Sequence, residues 1–328
     1  MLEERRFDVL RAVVEAHIKT GEPVSSRSVI EQTRIGVSSA TIRNDLAALE
    51  RDGFVVQPHT SAGRVPTARA YRYYVDQLGK SSLNSSNRAR IHGFFSSVQM
   101  ELSNLLKATS QLLAEVTHYP AVVVGPGTAG EVVRALHLVP LAAQAVMLVL
   151  VTDRGRVIQQ HIRLDRAITR ETVDEAEHLL MTWMVNQELG RSIPSDRILG
   201  SDEVVSVVQT VVSAIDRASV IGAEVYLGGT RQMAEVWNNL DAVQRVLEVL
   251  EREAEVLKLL ANASGVSIRI GTELPVSEGV DLAVVSATYE AGGAEGSIGV
   301  IGPMRMDYKT AISAVERVGR ELEERIGS

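Results

Sequence analysis

The sequence predicts an α+β multidomain protein that opens with a winged helix-turn-helix. Three observations carry this. Three helical periodicities fill the first fifty residues, broken at Gly21-Pro23 and at Gly36. Two short β-like runs, split by a Gly/Pro loop, follow at once. Beyond residue 118, apolar runs of strand length are mixed with helical stretches.

The first helix spans residues 2–19. Phe7, Leu10, Val13, Val14 and Ile18 recur at helical spacing, with Arg5, Arg6, Arg11 and Glu15 opposite. Gly21 and Pro23 stop it. Ser25 or Ser26 caps a short second helix that runs to about Gln32. Ser38 caps a third, Ser39 to Glu50, which Gly53 ends. Its inward stripe is Ile42, Leu46 and Leu49; Ser39, Arg43, Asn44 and Ala47 point outward. Phe54-Val55-Val56 reads as a strand, QPHTSAGRVPT (57–67) as a loop, and the chain near Arg64 and Val65 as a second extended piece. Helices two and three then form the helix-turn-helix, and the hairpin is the wing.

Charge supports a polyanion partner for this segment alone. The chain has a formal charge of −7, yet residues 1–80 hold 12 Lys/Arg against 10 Asp/Glu. From Gly53 to Val75 there is no acid, while Arg64, Arg69 and Arg72 lie inside that window. A wing lying along phosphates is weakened by every carboxylate. Gly63 lets the loop turn tightly and the prolines stiffen it. The expected DNA-binding residues are therefore Ser38, Ser39, Thr41, Arg43 and Asn44 on the third helix, and His59, Thr60, Ser61, Arg64 and Thr67 in the wing. Arg suits guanine and Asn suits adenine in the major groove. Arg64 and His59 are expected on the backbone or in the minor groove.

The absence of Cys excludes disulfides, thiol catalysis and Cys-ligated zinc, and fits a reducing compartment. The N-terminus MLEERRFDVL lacks an apolar signal core, and the run Ala145–Val151 is too short to span a bilayer. A cytoplasmic protein without a membrane partner is expected.

VSSATIRNDLAALERDGFVVQPHTSAGRVPTARAYRYYV closely resembles the N-terminal domain of the HrcA family of heat-inducible transcription repressors. YLGGT (226–230), IRIGTE (268–273) and GSIGVIGPMRMDY (296–308) resemble the family's C-terminal signatures. One departure is Met304, where the family usually has Thr, at a position taken as remote from the DNA-reading helix. The resemblance implies a GAF-like domain holding an inserted dimerisation domain. It also implies a homodimer on an inverted-repeat operator, the CIRCE element upstream of chaperone genes, and a GroEL-type chaperonin that maintains the active repressor.

The rest of the chain fits that order. GKSSLNSSNRAR (79–90) reads as a linker. Phe94–Thr117 reads as a helix, followed by strands at Ala121–Val124, Ala145–Val151 and Arg156–Ile162. Residues 170–220 read as helical. Strands return at Val225–Leu227, Val266–Ile270, Leu282–Ser286 and Ser297–Ile301. Asp241–Ala261 reads as one long helix packed on a sheet, its stripe too wide for a free coiled coil. The expected division is 1–78 winged helix, 79–90 linker, 91–169 and 221–328 the GAF-like domain, and 170–220 a helical dimerisation insert. Leu179, Leu180, Met181, Trp183, Met184 and Val185 supply material for the dimer face, as do the valines between Val204 and Val212.

A rival class is an NAD-binding enzyme, because Gly125, Gly127 and Gly130 match G-x-G-x-x-G and Asp153 follows a later strand. Pro126 stiffens the turn, and only nine residues separate Gly130 from Pro140, too few for a crossover helix. SIGVIGPMRM lacks the Lys-Ser/Thr of a phosphate loop. The seven His lack metal-ligand spacing, and no Ser lies in a G-x-S-x-G elbow. No catalytic residue, metal or cofactor is expected. Tyr71, Tyr73 and Tyr74 are expected to fix the first domain against a neighbour rather than to stack on bases.

Overall fold

The computed structural model describes residues 4–32, 38–59, 62–79, 82–127, 131–189, 200–221, 224–237, 240–250, 252–260, 265–274, 281–291 and 294–327. The N-terminal unit is α1 (Glu4–Thr20), α2 (Ser26–Gln32), α3 (Ser39–Arg51), β1 (Val55–Val56), β2 (Val65–Pro66) and α4 (Ala68–Asp76). Ser25 caps α2 through its hydroxyl, and Ser38 caps α3 by accepting from the Thr41 N–H at 3.2 Å. Gly53 takes φ +74°, which lets the chain leave α3 and enter β1. The hairpin pairs Val55 with Pro66 and Val56 with Val65, and Val24 bridges to Arg64 beside it.

The close approach at Gly63 explains that glycine better than a tight turn does. A Cβ there would stand 2.4 Å from both C and O of Val24. The backbone of Val24 leaves no room for any side chain.

The body follows as α5 (Ser85–Ser97), α6 (Leu102–Thr117) and β3 (Ala121–Val124). After an insertion it resumes with β7 (Val225–Gly228), α9 (Met233–Val236), α10 (Leu240–Leu250), α11 (Glu253–Leu260), β8 (Val266–Ile270), β9 (Ala283–Ala291), β10 (Ala294–Gly302) and α12 (Tyr308–Gly327). Its five-stranded antiparallel sheet runs β7-β3-β10-β9-β8. Both faces are covered, so β3 and most of β10 are apolar without polar alternation. Val123, Val285 and Ile298 pack with α6 and α12, while Val122, Val124 and Val284 pack with α10 and α11.

β3 and β7 are sheet neighbours, with Val124 opposite Val225, although the insertion separates them in sequence. The insertion is β4 (Val133–Ala142), β5 (Ala145–Thr152), β6 (Val157–Arg163), α7 (Arg170–Met184) and α8 (Asp202–Ile221). Its three-stranded sheet and two helices enclose a core of their own, including Leu136, Leu148, Leu180, Met184, Val208 and Val211.

Four sequence expectations change here. The insert begins near 131 rather than 170 and carries a sheet, so it is α+β and not helical. β4 escaped notice because it contains Pro140; it is an edge strand, where a missing N–H is tolerated, and its register shifts at that point. The expected linker 79–90 turns helical at Ser85, where the Asn84 side chain caps the Asn87 N–H at 2.7 Å. The long helix expected over 241–261 is two, with Arg252 between them outside either helix.

The N-terminal unit is not loosely tethered. Its packing is continuous with the body: Leu10, Val13, Ile42 and Leu49 belong to one apolar cluster with Tyr71, Tyr308 and Val315. Tyr71 and Tyr308 lie 6.1 Å apart by ring centroid. Arg72 donates to the Ile268 carbonyl at 2.8 Å, and Lys309 pairs with Glu15 at 2.8 Å. Tyr71, and Tyr74 beside Lys309, thus bind the first unit to its neighbour, whereas Tyr73 packs inside that unit against Phe7 and Phe54. Met304 packs on this same cluster, and Arg305 beside it lies against Gly21 of the N-terminal unit.

Candidate nucleic-acid interface

The exposed face of α3 is built by two local devices. Its apolar stripe, Ile42, Leu46 and Leu49, is buried, which turns Ser39, Ala40, Arg43, Asn44 and Ala47 outward. Its one acid before the last turn is removed from that face. Asp45 is 3% exposed and takes a bidentate contact from Arg5, at 2.9 and 3.1 Å, with Arg6 at 3.8 Å. The side chains of Arg43 and Asn44 are exposed and make no hydrogen bond or ion pair among the described residues. Arg43 pairs with neither Asp45 nor Glu50, since those carboxylates are taken by Arg5 and Arg64.

The other predicted residues divide. Ser39 is exposed beside Arg43. Ser38 and Thr41 are engaged with each other: their hydroxyls lie 3.0 Å apart while Ser38 caps the helix. His59 is exposed at the hairpin tip, where its carbonyl accepts from the Ala62 N–H at 2.8 Å and the Gln57 side chain donates to the Ala62 carbonyl at 3.1 Å. Thr60 and Ser61 lie outside the described residues. Arg64 turns inward and pairs with Glu50 at 2.9 Å, its side chain 19% exposed. Thr67 caps α4 and donates to the Gly53 carbonyl at 2.8 Å. Arg64 and Thr67, both expected on DNA, are therefore each held by a local partner.

The acid-free window also has an intramolecular use that the sequence did not disclose. Arg69 donates to the Asp52 carbonyl at 2.6 Å and stacks 4.6 Å over Phe54. Arg72 reaches the body, as above. The three arginines of that window brace the hairpin and the joint.

The dinucleotide fingerprint does not form. Gly125 and Gly127 follow an antiparallel strand, and the next described elements are strands, not a crossover helix. Gly130 lies outside the described residues. Asp153 accepts from the Val132 N–H at 2.9 Å within the insertion. No described helix is long and apolar enough to cross a membrane.

A three-helix unit that holds a polar, acid-free helix face out from a larger α+β body has the layout of a transcription regulator. A family model described as the HrcA protein C-terminal domain matches residues 103–312. Heat-inducible transcription repressors HrcA of Acidothermus cellulolyticus and Mycolicibacterium smegmatis are 39% and 36% identical, over 98% and 99% of this chain and 97% and 98% of their own. A crystal structure described only as a hypothetical protein shares the fold, with a TM-score of 0.67 at 23% identity, covering 100% of this chain and 99% of its own. The chain belongs to the HrcA family of heat-inducible transcription repressors, a family of regulators and not of enzymes.

Proposed function

We propose that this protein represses heat-inducible genes by binding double-stranded operator DNA as a homodimer, each N-terminal unit acting as a winged helix-turn-helix on one half of an inverted repeat. The observation that carries this is the α3 face: Arg43 and Asn44 exposed without described partners, and Asp45 buried under two arginines. A recognition helix needs free donors at base edges and no stray carboxylate near phosphates. Ser39 is exposed beside Arg43, and His59 is exposed at the hairpin tip; Ser38 and Thr41 cap the start of α3. Thr60, Ser61 and Thr67 complete the expected set, and Thr67 serves it only through the joint it caps.

The test is a gel shift with matched and scrambled inverted repeats. Arg43→Ala is expected to lose roughly 1–3 kcal/mol on the matched repeat and to relax choice at one base position. Equal losses on both DNAs would make Arg43 a phosphate contact and overturn its reading role.

The homodimer draws support from the insertion. One face of its sheet packs on α7 and α8, which bury Leu180, Met184, Val204, Val207, Val208 and Val211 of the residues first expected at the interface and leave Met181 exposed. The other face carries Val139, Met147, Val149, Val151 and Val157, with no described element over it. We read that face as the dimer contact. A CIRCE-like operator, a GAF-like identity for the body, a cytoplasmic site and modulation by a GroEL-type chaperonin rest on family resemblance. Adding purified GroEL to the gel shift tests the last: operator occupancy rises if the chaperonin maintains active repressor, and an unchanged curve removes it.

A further inference from the structure

The N-terminal unit, the head of the molecule, meets the body without slack. Tyr71 of α4 and Tyr308 of α12 are 2% and 0% exposed and share one apolar cluster with the cores on both sides. Gly271, just after β8, takes φ +56°. A Cβ there would stand 3.3 Å from the Ala68 Cβ of α4 and 3.1 Å from Met304 Sδ. The body's backbone thus lies against the first turn of α4 with barely room for a methyl group.

Two cations pin the contact from different helices. Arg72 of α4 donates through Nη1 to the Ile268 carbonyl at 2.8 Å, on the edge strand β8, and lies 3.5 Å from Glu273. Lys309, in the first turn of α12, pairs with Glu15 of α1 at 2.8 Å. Glu15 also accepts from the Tyr74 hydroxyl at 3.2 Å. The head is held along α1 and along α4 at once, so it neither slides nor pivots without breaking buried contacts. The path onward to the uncovered sheet face is tied again at the seam between body and insertion. There Arg154 donates to the Ala291 carbonyl at 3.3 Å and Arg156 to the Pro126 carbonyl at 2.8 Å.

We propose that this joint fixes the distance and phase between the two recognition helices of the dimer, with Arg72 and Lys309 as positioning residues that select the operator's spacer length. This rests on the homodimer and inverted-repeat reading above. Each base pair added between half-sites moves the second by about 3.4 Å and turns it by about 34–36°. A flexible tether absorbs such a step. The approach of Ala68 to Gly271 has no gap of that size to give. Ten added base pairs restore the face of the duplex but lengthen the span by about 34–36 Å. A long tether recovers binding there; a rigid pair of heads does not.

The full-length protein is made to select its operator from a random double-stranded pool. The selected repeat is then remade with its spacer shortened by one base pair, or lengthened by one, five and ten. Wild type is expected to lose about tenfold or more for one base pair either way. Five or ten should leave half-site affinity only, a loss of roughly 10²–10⁴. Arg72→Ala with Lys309→Glu should flatten this profile: the selected spacer binds less tightly and its neighbours nearly as well, while affinity for a single half-site is unchanged. Adding Glu15→Lys, which remakes the Lys309 pair with its charges exchanged, should sharpen the profile again. If circular dichroism shows the double variant unfolded, Lys309→Glu with and without Glu15→Lys carries the same comparison. A role in stability alone would weaken every spacer by one factor and keep the shape of the profile, and that result overturns the proposal. So does a wild type that binds freely across spacers. A pool that yields no two-fold repeat overturns the operator reading, and this proposal with it.

Discussion

Asp45 sits on the proposed recognition helix, where a carboxylate ought to repel DNA, and is tolerated because Arg5 and Arg6 of α1 cover it. Glu50, further along the same helix and half-buried, is paired with Arg64. This gives Arg64 an indirect part in binding: it masks an acid rather than touching a phosphate. Arg64→Ala is then expected to weaken all sequences, and adding Glu50→Gln to restore them, in gel shifts at fixed salt. A double variant as weak as the single one, with a salt slope lowered by about one unit, would instead make Arg64 a phosphate contact. Gly63 makes a second residue-scale case. Its missing Cβ is what allows the hairpin to lie on Val24. Gly63→Ala is expected to cost about 2–4 kcal/mol, read from denaturant melts, because backbone must move. A cost near zero would mean that the hairpin leaves Val24 freely.

At the scale of elements, α1, α4 and the start of α12 form the joint. His17 of α1 holds the Tyr71 hydroxyl of α4 at 2.7 Å through Nδ1, and Tyr71 lies against Tyr308 of α12. Burial, and then the Arg305 guanidinium, keep the His17 pKa below its ordinary 6.5, against an upward pull from Glu22. The unfolded chain therefore binds this proton more readily than the folded one. The stability it confers is complete above about pH 6.5 and is lost as pH falls toward the lowered folded value. Asp281, raised chiefly by burial, has the opposite sign, from its ordinary 3.8 upward. Melting wild type and His17→Gln side by side from about pH 7 to about pH 5.5 isolates the histidine. The wild type should lose Tm faster than the variant; parallel curves would remove His17 from the joint's pH response.

For the whole molecule, the insertion is separable by construction. Its ends meet, since the Gly125 N–H donates to the Glu224 carbonyl at 2.8 Å. Its core is its own. Replacing residues 127–222 with a short Gly/Ser turn should therefore leave a folded body, whereas removing 170–220 alone would strip the helices from the β4–β6 sheet. If the uncovered sheet face carries the dimer, the excised protein and Val149→Asp should both sediment as monomers and keep half-site affinity only. Linking two heads is worth roughly 10²–10⁴ in avidity, so the loss is large enough to read in a gel shift. A Val149→Asp protein that stays dimeric would move the interface off this face.

Local pattern settled much of this protein from sequence alone. The three N-terminal helices, the Ser38 cap, the Gly53 turn and the strands from Val225 onward follow from spacing and capping, which act within a few residues, while the choice between Ser25 and Ser26 as the cap of α2 was made by the structure. So did the outward placement of Arg43 and Asn44, because helical period fixes a face once the apolar stripe is known. What depended on distant partners was not legible. Arg64, Arg69 and Arg72 read as free cations until Glu50, the Asp52 carbonyl and Ile268 were in place beside them. The insertion read as helical because β4 hides a proline at a sheet edge and the strands read at 145–151 and 156–162 were assigned to the body, and its valines read as interface because the sheet they cover lies earlier in the chain. Charge pairing, edge position and the closure of a core are set by contacts between segments far apart in sequence, and only the tertiary structure brings those segments together.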